Sequence, residues 1–170
     1  YNNFFNWLNE VKAEVIEVPL RSEELHYTYD LAGIESAYKS GVKVHLLCHP
    51  QNPTGTVHAK ADLQKIADLA VAYGVTVISD EIHAPLTFVT EDFYPFLAIS
   101  DNARRVGITI TSASKSFNIA GLKCAIIVSQ DERLNDLLAT MPMAVHFRAS
   151  LFGGVASAAA FAHGSSWLTA

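Results

Sequence analysis

Cysteine is scarce in this sequence, which excludes a secreted scaffold held together by disulfide bonds. The two cysteines, Cys48 and Cys124, both lie inside apolar runs, and two thiols supply no disulfide framework. Free cysteines in such positions are typical of small apolar core residues. We therefore expect both thiols to be reduced and the protein to be cytoplasmic.

Long apolar runs and clusters of basic residues are lacking as well. The apolar runs, such as "CAIIV" and "VASAAAFA", fall well short of the about 20 residues that a membrane-spanning helix needs. The formal net charge is −5 and no segment is rich in lysine and arginine, which excludes a typical nucleic-acid surface. We predict neither a membrane nor a nucleic acid as partner.

Metal-ligand spacing is absent too, although the sequence contains seven histidines. Beyond the adjacent pair Cys48 and His49, no histidine stands at ligand spacing from cysteine or carboxylate residues, so no metal site is predicted. What the sequence does have is apolar content. Half of its 170 residues are hydrophobic and 17% are charged, which is enough for a substantial compact core.

Apolar β-branched segments alternate along the chain with segments of helical periodicity. In "AKADLQKIADLAVAYG", Leu63, Ile66, Ala67 and Ala70 recur at helical spacing, and Gly74 is a typical helix stop. The pattern predicts strands at 13–20, 42–48, 75–79, 106–111 and 123–129, and helices at 3–12, 30–40, 59–74, 131–140 and 151–163. This alternation indicates a three-layer α/β fold, with a mainly parallel sheet and helices on both faces.

Polar clusters follow three of the predicted strands. "HPQNPTG" follows the first, "SDEIH" the second and "SASK" the third, which places Asn52, Asp80 and Lys115 at intervals of 28 and 35 residues. In a parallel α/β sheet, ligands bind beyond the carboxyl ends of the strands. We therefore expect these three side chains to meet at one edge of the sheet.

The three residue types suit one cofactor. A lysine amine forms a Schiff base with an aldehyde, and a carboxylate beside a pyridine nitrogen keeps that nitrogen protonated. An asparagine amide can donate to the phenolic oxygen of the same ring, while Ser112 and Ser114 are placed to bind a phosphate. Lys115, Asp80 and Asn52 would thus hold pyridoxal 5′-phosphate.

Each residue alone also has an ordinary explanation. Asn52 in "NPTG" is typical of a turn, and Asp80 or Glu81 could cap a following helix. Lys115 alone would be a solvated surface lysine. The order and spacing of the three together favour the cofactor site.

The motifs "LLCHPQNPTGTV", "VISDEIHAPLTF" and "SASKSFNIAGLK" resemble the fold-type I pyridoxal-phosphate enzymes, the class I/II aminotransferase superfamily. Within it they most resemble the MalY/PatB cystathionine β-lyase branch. The resemblance runs from Tyr1 to Trp167 and spans less than half of such an enzyme. It implies that residues 1–170 are the central part of the cofactor-binding large domain, without the N-terminal segment and the C-terminal small domain.

The resemblance implies a role for each matching residue. Lys115 would bond the cofactor aldehyde and move the proton at the substrate Cα, and Asp80 would pair with the pyridine nitrogen. Asn52 would contact the 3-hydroxyl oxygen, with a cis peptide bond to Pro53, and His83 stands where many aminotransferases have a tyrosine touching the same oxygen.

Three further positions complete the site that the resemblance implies. Ser112 would bind the phosphate. Tyr1 would stack on the ring, although it is equally explained as a frayed end residue. Aminotransferases usually carry an arginine eight residues after the lysine, and here that position is Lys123, which supplies the charge without the bidentate fork.

The motifs leave the reaction open. The resemblance implies β-elimination from a small amino acid, with a sulfur-containing substrate, by a homodimer. The same residues would also serve an aminotransferase, and a third alternative is a stable core that is inactive in isolation. "SASK" and the "SDN" at 100–102 also match motifs of penicillin-recognising serine enzymes, but their order is reversed and no "KTG" occurs.

Overall fold

The structure is a computed structural model that describes residues 1–88 and 92–169. Its strands are β1 (Arg21–Glu23), β2 (His26–Thr28), β3 (Val44–Cys48), β4 (Thr76–Asp80), β5 (Gly107–Thr111) and β6 (Ile126–Ser129). Its helices are α1 (Asn2–Glu10), α2 (Leu31–Lys39), α3 (Lys60–Tyr73), α4 (Asp101–Val106), α5 (Glu132–Ala139), α6 (Met143–His146), α7 (Leu151–His163) and α8 (Ser165–Leu168). The α/β class predicted from the sequence is confirmed.

The central sheet has the strand order β3-β4-β5-β6. The pairs β3–β4 and β4–β5 are parallel, and β6 is antiparallel to β5. In register, Cys48 lies beside Asp80, and Asp80 lies beside Ile110. The four predicted strands of this mainly parallel sheet are thereby confirmed, and their carboxyl ends on β3, β4 and β5 share one edge.

Helices α2, α3 and α4 cover one face of the sheet and enclose the core. The inward side chains of α3 follow helical periodicity, and Leu63, Ile66, Ala67 and Ala70 are fully buried. They pack with Leu47 and Val77 of the strands and with Phe96, among others. Gly74 ends α3 in the left-handed conformation, with φ of +66°.

The other face of the sheet is less covered within this chain. Ile126, Ile127 and Val128 of β6 are exposed, and so are Leu151 and Phe152 of α7. Helix α7 nevertheless approaches the chain closely before β6, because a Cβ built on Gly153 would lie 2.3 Å from the Leu122 carbonyl oxygen. No such neighbour exists for Gly154 within 4 Å in the described structure.

The segment before the first hairpin differs from the sequence-based expectation. The prediction of a strand at 13–20 is wrong: this segment has no strand, and a short hairpin of β1 and β2 follows it instead. Val15 and Ile16 are apolar but exposed, and the segment pairs with no strand of the described sheet. An apolar run alone does not form a strand when it finds no hydrogen-bonding partner.

Helix α4 was not predicted, and it explains the "SDN" motif. The Ser100 hydroxyl accepts a hydrogen bond from the Ala103 amide at 3.2 Å, so Ser100 caps the helix. Asp101 lies in the first helical turn, where its charge is favourable. The motif is therefore a helix-capping sequence, and it lies at the opposite end of β5 from Lys115. Across the described ranges, no helix is both long and apolar enough to cross a membrane.

Candidate active site

The structure brings Asn52, Asp80 and Lys115 together at the carboxyl edge of the sheet. Asn52 follows β3, Asp80 is the last residue of β4, and Lys115 follows β5. Asp80 and Lys115 lie close enough for the charge of Lys115 to act on the pKa of the Asp80 carboxyl group. The Asn52 amide is bonded to Cys48, which lies beside Asp80 in register, so all three residues are at one edge of the sheet, and their roles there stay predictions.

Asp80 is half-buried, and its environment pulls its pKa in two directions. Burial raises the pKa above its ordinary value, which is the larger effect, and the Ile82 amide, donating to Oδ1 at 3.2 Å, lowers it. The charges of His83 and Lys115 lower it as well. The outcome is a raised pKa, because burial destabilises the carboxylate more than its hydrogen bond and the neighbouring charges stabilise it, so the carboxylate would gain from a further cationic partner.

His83 lies on the same side of this edge. Burial lowers the pKa of its imidazole, Asp80 raises it and Lys115 lowers it further. His83 and Asn52 also line one cleft of about 730 Å³, which the β1–β2 hairpin borders with Tyr27. Asn52 and His83 therefore line the same solvent-accessible space. Two residues that are expected to contact one oxygen of the cofactor ring must do so.

The loop that carries Asn52 is closed by its own hydrogen bonds. The Gln51 amide donates to the Thr56 carbonyl oxygen at 2.9 Å, and the Gly55 amide donates to the Gln51 carbonyl oxygen at 2.8 Å. The Asn52–Pro53 bond is cis, which confirms that prediction, and His49–Pro50 is cis as well. Among the described residues the Asn52 side-chain amide has no hydrogen-bond partner, so it is free to donate to a ligand.

Two buried histidines stand at the two ends of this loop. His49 precedes it and His58 follows it, with exposures of 0% and 3%. Their rings lie 5.9 Å apart, and the His58 ring stacks on Tyr29 at 3.8 Å. Burial lowers the pKa of each histidine to about 4, so both are neutral and pack as aromatic rings beneath the loop.

Lys115 lies in a single helical turn directly after β5. The Phe117 amide donates to the Ala113 carbonyl oxygen at 3.0 Å, and the Ile119 amide donates to the Ser114 carbonyl oxygen at 3.1 Å. The Lys115 side chain is exposed and forms no ion pair within the residues that the structure describes. The amine is thus presented at the edge rather than used to stabilise the turn.

Ser112 is buried, and its hydroxyl group is already engaged. It donates to the Cys124 carbonyl oxygen at 2.6 Å and accepts from the Ser114 amide at 3.1 Å. The same Ser112 proton also faces the Ser114 hydroxyl oxygen at 2.7 Å, so Ser114 accepts in that contact and keeps its own proton for another acceptor. Ser112 therefore ties the end of β5 to the start of β6, and Ser114, which is half-buried, is the more accessible hydroxyl group.

Lys123 and Tyr1 lie at the margins of the edge. Lys123 is exposed, has φ of +54°, and directly precedes Cys124, to which Ser112 is bonded. Tyr1 is half-buried, and its ring packs edge-on against Phe4 with the two ring centroids 5.4 Å apart. Burial, the largest effect, raises the pKa of Cys48.

Sequence reasoning missed the hydrogen bonds that Cys48 and Glu81 form at this edge. Cys48 was expected to be a core residue, but it is half-buried at the end of β3, and its sulfur accepts the Asn52 amide at 3.4 Å. Glu81 was considered as a helix cap, but its carboxylate is buried and bonded to three groups. For Cys48, the signal was its position as the last strand residue beside Asp80.

The polar groups at this edge correspond to the chemical groups of the predicted cofactor. They comprise one exposed amine, one carboxyl group of raised pKa, one unpaired amide and one accessible hydroxyl group, which match an aldehyde, a pyridine nitrogen, a phenolic oxygen and a phosphate. Within the described part of the chain, no group of three or more histidine, cysteine or carboxylate residues is arranged to bind a metal ion. The residues present fit pyridoxal phosphate.

Comparison with known proteins extends this result. The chain matches the family "Aminotransferase class I and II" over residues 1–167. It is 43% identical over 107 residues to the cystathionine β-lyase of Corynebacterium glutamicum, a match that covers 62% of this chain and 28% of that protein. It is 34% identical to the protein MalY of Escherichia coli (strain K12), covering 100% of this chain and 44% of MalY.

Solved structures agree with the fold. The crystal structure of the pyridoxal-phosphate-bound C–S lyase from Staphylococcus hominis superposes with a TM-score of 0.88 at 28% identity, covering 99% of this chain and 42% of that chain. The chain thus spans less than half of the length of each of these relatives.

Proposed function

Because this chain belongs to the aminotransferase class I and II family, we propose that it carries the cofactor-binding core of a pyridoxal 5′-phosphate-dependent C–S β-lyase. Such an enzyme eliminates a sulfur substituent from Cβ of an amino acid. The observation that carries the proposal is the meeting of Lys115, Asp80 and Asn52 at the ends of three neighbouring strands.

Each residue would contribute one function. Lys115 would bind the cofactor through its amine and move the proton at the substrate Cα, because it is the exposed base beside Asp80. Asp80, as a carboxylate, would keep the ring nitrogen protonated, because its half-buried negative charge would be stabilised by the positive charge there. When bound, the cofactor supplies an electron sink for the negative charge that develops at Cα.

The remaining residues would orient the cofactor. Asn52 would donate its free amide to the phenolic oxygen, with His83 as the second contact. Ser114 would donate to the phosphate directly, while Ser112 would do so only by giving up its bond to Cys124. Lys123 would add a positive charge for the phosphate.

Tyr1 would complete this set of contacts by packing on the cofactor ring.

The choice of elimination rests on the relatives, and the alternative is transamination. Two of the similar proteins described above carry lyase names, whereas the family as a whole is named for aminotransferases. Asn52, Asp80 and Lys115 would serve both reactions equally, because they set where the proton and charge are held and not what leaves Cβ. A third alternative is that the chain by itself is a stable core without activity.

The extent and setting of the protein belong to the same proposal. We propose that residues 1–170 are the central part of a large domain, in a cytoplasmic protein that acts as a homodimer. The match to less than half of each relative's length supports this, as does the exposed apolar surface of α7. The sulfur-containing substrate is proposed from the name cystathionine β-lyase.

A two-part assay tests the proposal. The full-length protein, loaded with cofactor, is incubated with cystathionine, and pyruvate, ammonia and homocysteine are measured. Elimination consumes one water molecule for each cystathionine and releases one molecule each of pyruvate, ammonia and homocysteine. Amino transfer to an added 2-oxo acid, without release of homocysteine, would instead establish an aminotransferase.

A further inference from the structure

Glu81 is a buried carboxylate that none of the proposed steps uses. It is 4% exposed, although it directly follows Asp80 at the carboxyl edge of the sheet. Its Oε1 atom accepts hydrogen bonds from the Phe96 amide at 2.8 Å and from the Ser79 hydroxyl at 2.9 Å, and a longer one from the Thr109 hydroxyl at 3.4 Å. Buried carboxylates are rare, and one with three donors on a single oxygen requires a reason.

The strand geometry separates Glu81 from the cofactor side of the sheet. Successive side chains of a strand point to opposite faces. Ser79, whose hydroxyl bonds to Glu81, is fully buried on the helix-covered face, and Thr109 is its neighbour in register. Asp80 points to the opposite face, where Lys115 and His83 act on it. Glu81 therefore acts on that site through Asp80 and not by contact.

Glu81 joins the segments that fix the direction of Asp80. Its amide donates to the Ile110 carbonyl oxygen at 2.8 Å, and the Ala84 amide donates to the Glu81 carbonyl oxygen at 3.0 Å. Its carboxylate adds the hydroxyl groups of two strands and the backbone at Phe96. The residues on either side of the Asp80 side chain are thus held by β4, by β5 and by the segment before α4.

We propose that Glu81 is a positioning residue that holds the end of β4 rigid and thereby aims the Asp80 carboxylate at the ring nitrogen of the cofactor. This inference rests on the proposed function, since it assumes that Asp80 meets a cofactor. It predicts that the acceptor oxygen at position 81 is what matters, because that oxygen receives the three donors. The glutamine side chain keeps such an oxygen and alanine does not.

The test uses the full-length cofactor-loaded protein with the variants Glu81→Gln and Glu81→Ala. Glu35→Gln serves as the matched control, since Glu35 lies on α2 and bonds to Tyr73, away from the edge. For Glu81→Ala, kcat should fall about tenfold to a hundredfold with KM nearly unchanged, because a misaimed group acts on the reacting centre and not on substrate binding. Glu81→Gln should stay within about threefold of the parent, as expected when its oxygen rescues the geometry.

Two further measurements distinguish a misdirected Asp80 carboxylate from a general loss of rigidity in the protein. Cofactor affinity is measured by equilibrium dialysis, and the pH titration of the visible absorption of the bound cofactor is recorded. Glu81→Ala should weaken cofactor binding by about tenfold and shift the titration, since both depend on where Asp80 points. Should Glu81→Ala fail to fold, Thr109→Val and Ser79→Ala each remove one donor while keeping the carboxylate, and each should shift the titration in the same direction.

The possible outcomes are distinct. Unchanged kcat, affinity and titration in Glu81→Ala overturn the proposal, and so does a Glu81→Gln variant as impaired as Glu81→Ala, because charge and not the acceptor oxygen would then matter. The Asp80→Ala variant distinguishes failure of the proposed function from failure of the Glu81 proposal. If Asp80→Ala changes nothing, the proposed role of Asp80 fails, whereas an impaired Asp80→Ala beside a normal Glu81→Ala removes only the role of Glu81.

Discussion

Lys115 is the residue whose side chain is least needed for the fold and most needed for the proposed chemistry. It is exposed at the end of β5, and its turn is stabilised by backbone hydrogen bonds. Asp80, by contrast, is half-buried and receives the Ile82 amide. The two residues should therefore respond differently to truncation.

The first prediction concerns Lys115→Ala in the full-length protein. The visible absorption of bound cofactor should disappear and turnover should fall by at least about a thousandfold, because the amine is the attachment point. The melting temperature of the cofactor-free protein should barely change, since an exposed side chain is lost. Absorption spectroscopy and thermal unfolding check both parts, and retained turnover would refute the assignment.

The second prediction concerns Asp80→Ala. The cofactor should remain attached, but removal of the Cα proton should slow by about a hundredfold or more, because the ring nitrogen loses the group that keeps it protonated. Exchange of the substrate Cα proton for deuterium, followed by NMR, measures this step directly. An exchange rate equal to that of the parent would contradict the role.

At this scale the sequence predicts the positions of Asn52, Asp80 and Lys115, because each follows an apolar strand and strand ends of a parallel sheet share an edge. It did not predict the surroundings of Glu81. The Phe96 amide that bonds to Glu81 lies 15 residues away, and no local pattern connects the two. Nor did it predict that the Ser112 proton is committed to Cys124, which depends on the return of β6.

At the scale of elements, the long helix α3 was easier to predict than the short strands β1 and β2. The periodicity of α3 is visible because its buried residues recur within one segment, whereas a strand needs a partner elsewhere. Residues 13–20 have strand-like composition but no partner, and the neighbouring hairpin forms from β1 and β2, which are more polar. Pairing, and not apolar content, decided which segments became strands.

The third prediction concerns the packing of α7. Gly153→Ala should destabilise the protein by about 1–3 kcal/mol, because its Cβ would meet the Leu122 carbonyl oxygen at 2.3 Å. Gly154→Ala on the same helix is the control and should be neutral or stabilising by up to about 1 kcal/mol, since nothing described lies within 4 Å. Urea unfolding measures both, and equal effects would contradict the close contact.

The fourth prediction concerns pH and the two histidines beside the Asn52 loop. Burial holds the pKa of His49 and His58 near 4, below the ordinary value of 6.5, so between these pH values the unfolded chain binds more protons than the folded one. The free energy of unfolding should therefore fall as the pH falls through this window, by up to about 1.4 kcal/mol per pH unit for each histidine.

Comparison of variants isolates this effect. Asp80 and Glu81 have raised pKa values and change stability in the opposite direction, so the parent alone is not informative. His49→Gln and His58→Gln should each flatten the pH dependence of urea unfolding, while Gly154→Ala, which changes no titratable group, should leave it unchanged. A dependence that is identical in all three variants would show that the buried pair does not titrate.

At the scale of the whole molecule, the described chain exposes a large apolar surface at the start of α7 and just before it. Phe147, Leu151 and Phe152 are each more than three-quarters exposed, at 79%, 80% and 76%. Surface of this kind favours association. The Lys115 side chain is exposed as well, so in this chain the proposed cofactor attachment is open to water, which weakens the electrostatic interactions of the site.

The fifth prediction compares this 170-residue chain with the full-length protein. The 170-residue chain should bind pyridoxal phosphate weakly or not at all, show neither lyase nor transaminase activity, and self-associate. The full-length protein should hold the cofactor and turn over as a dimer. Absorption spectra, the pyruvate assay and sedimentation compare the two, and equal turnover would mean that the catalytic site is smaller than proposed.

The arrangement of one site residue on each of three successive strand ends has a consequence for how the protein folds. Asn52, Asp80 and Lys115 are separated by 28 and 35 residues, so they approach one another only after two long parallel crossovers have closed. Such nonlocal pairings carry a loop-closure cost and form slowly. During refolding of the full-length protein from urea, the circular dichroism signal of the helices should therefore return before the protein can bind cofactor. An intermediate in which only β3 and β4 have paired would lack the Lys115 amine at the edge of the sheet.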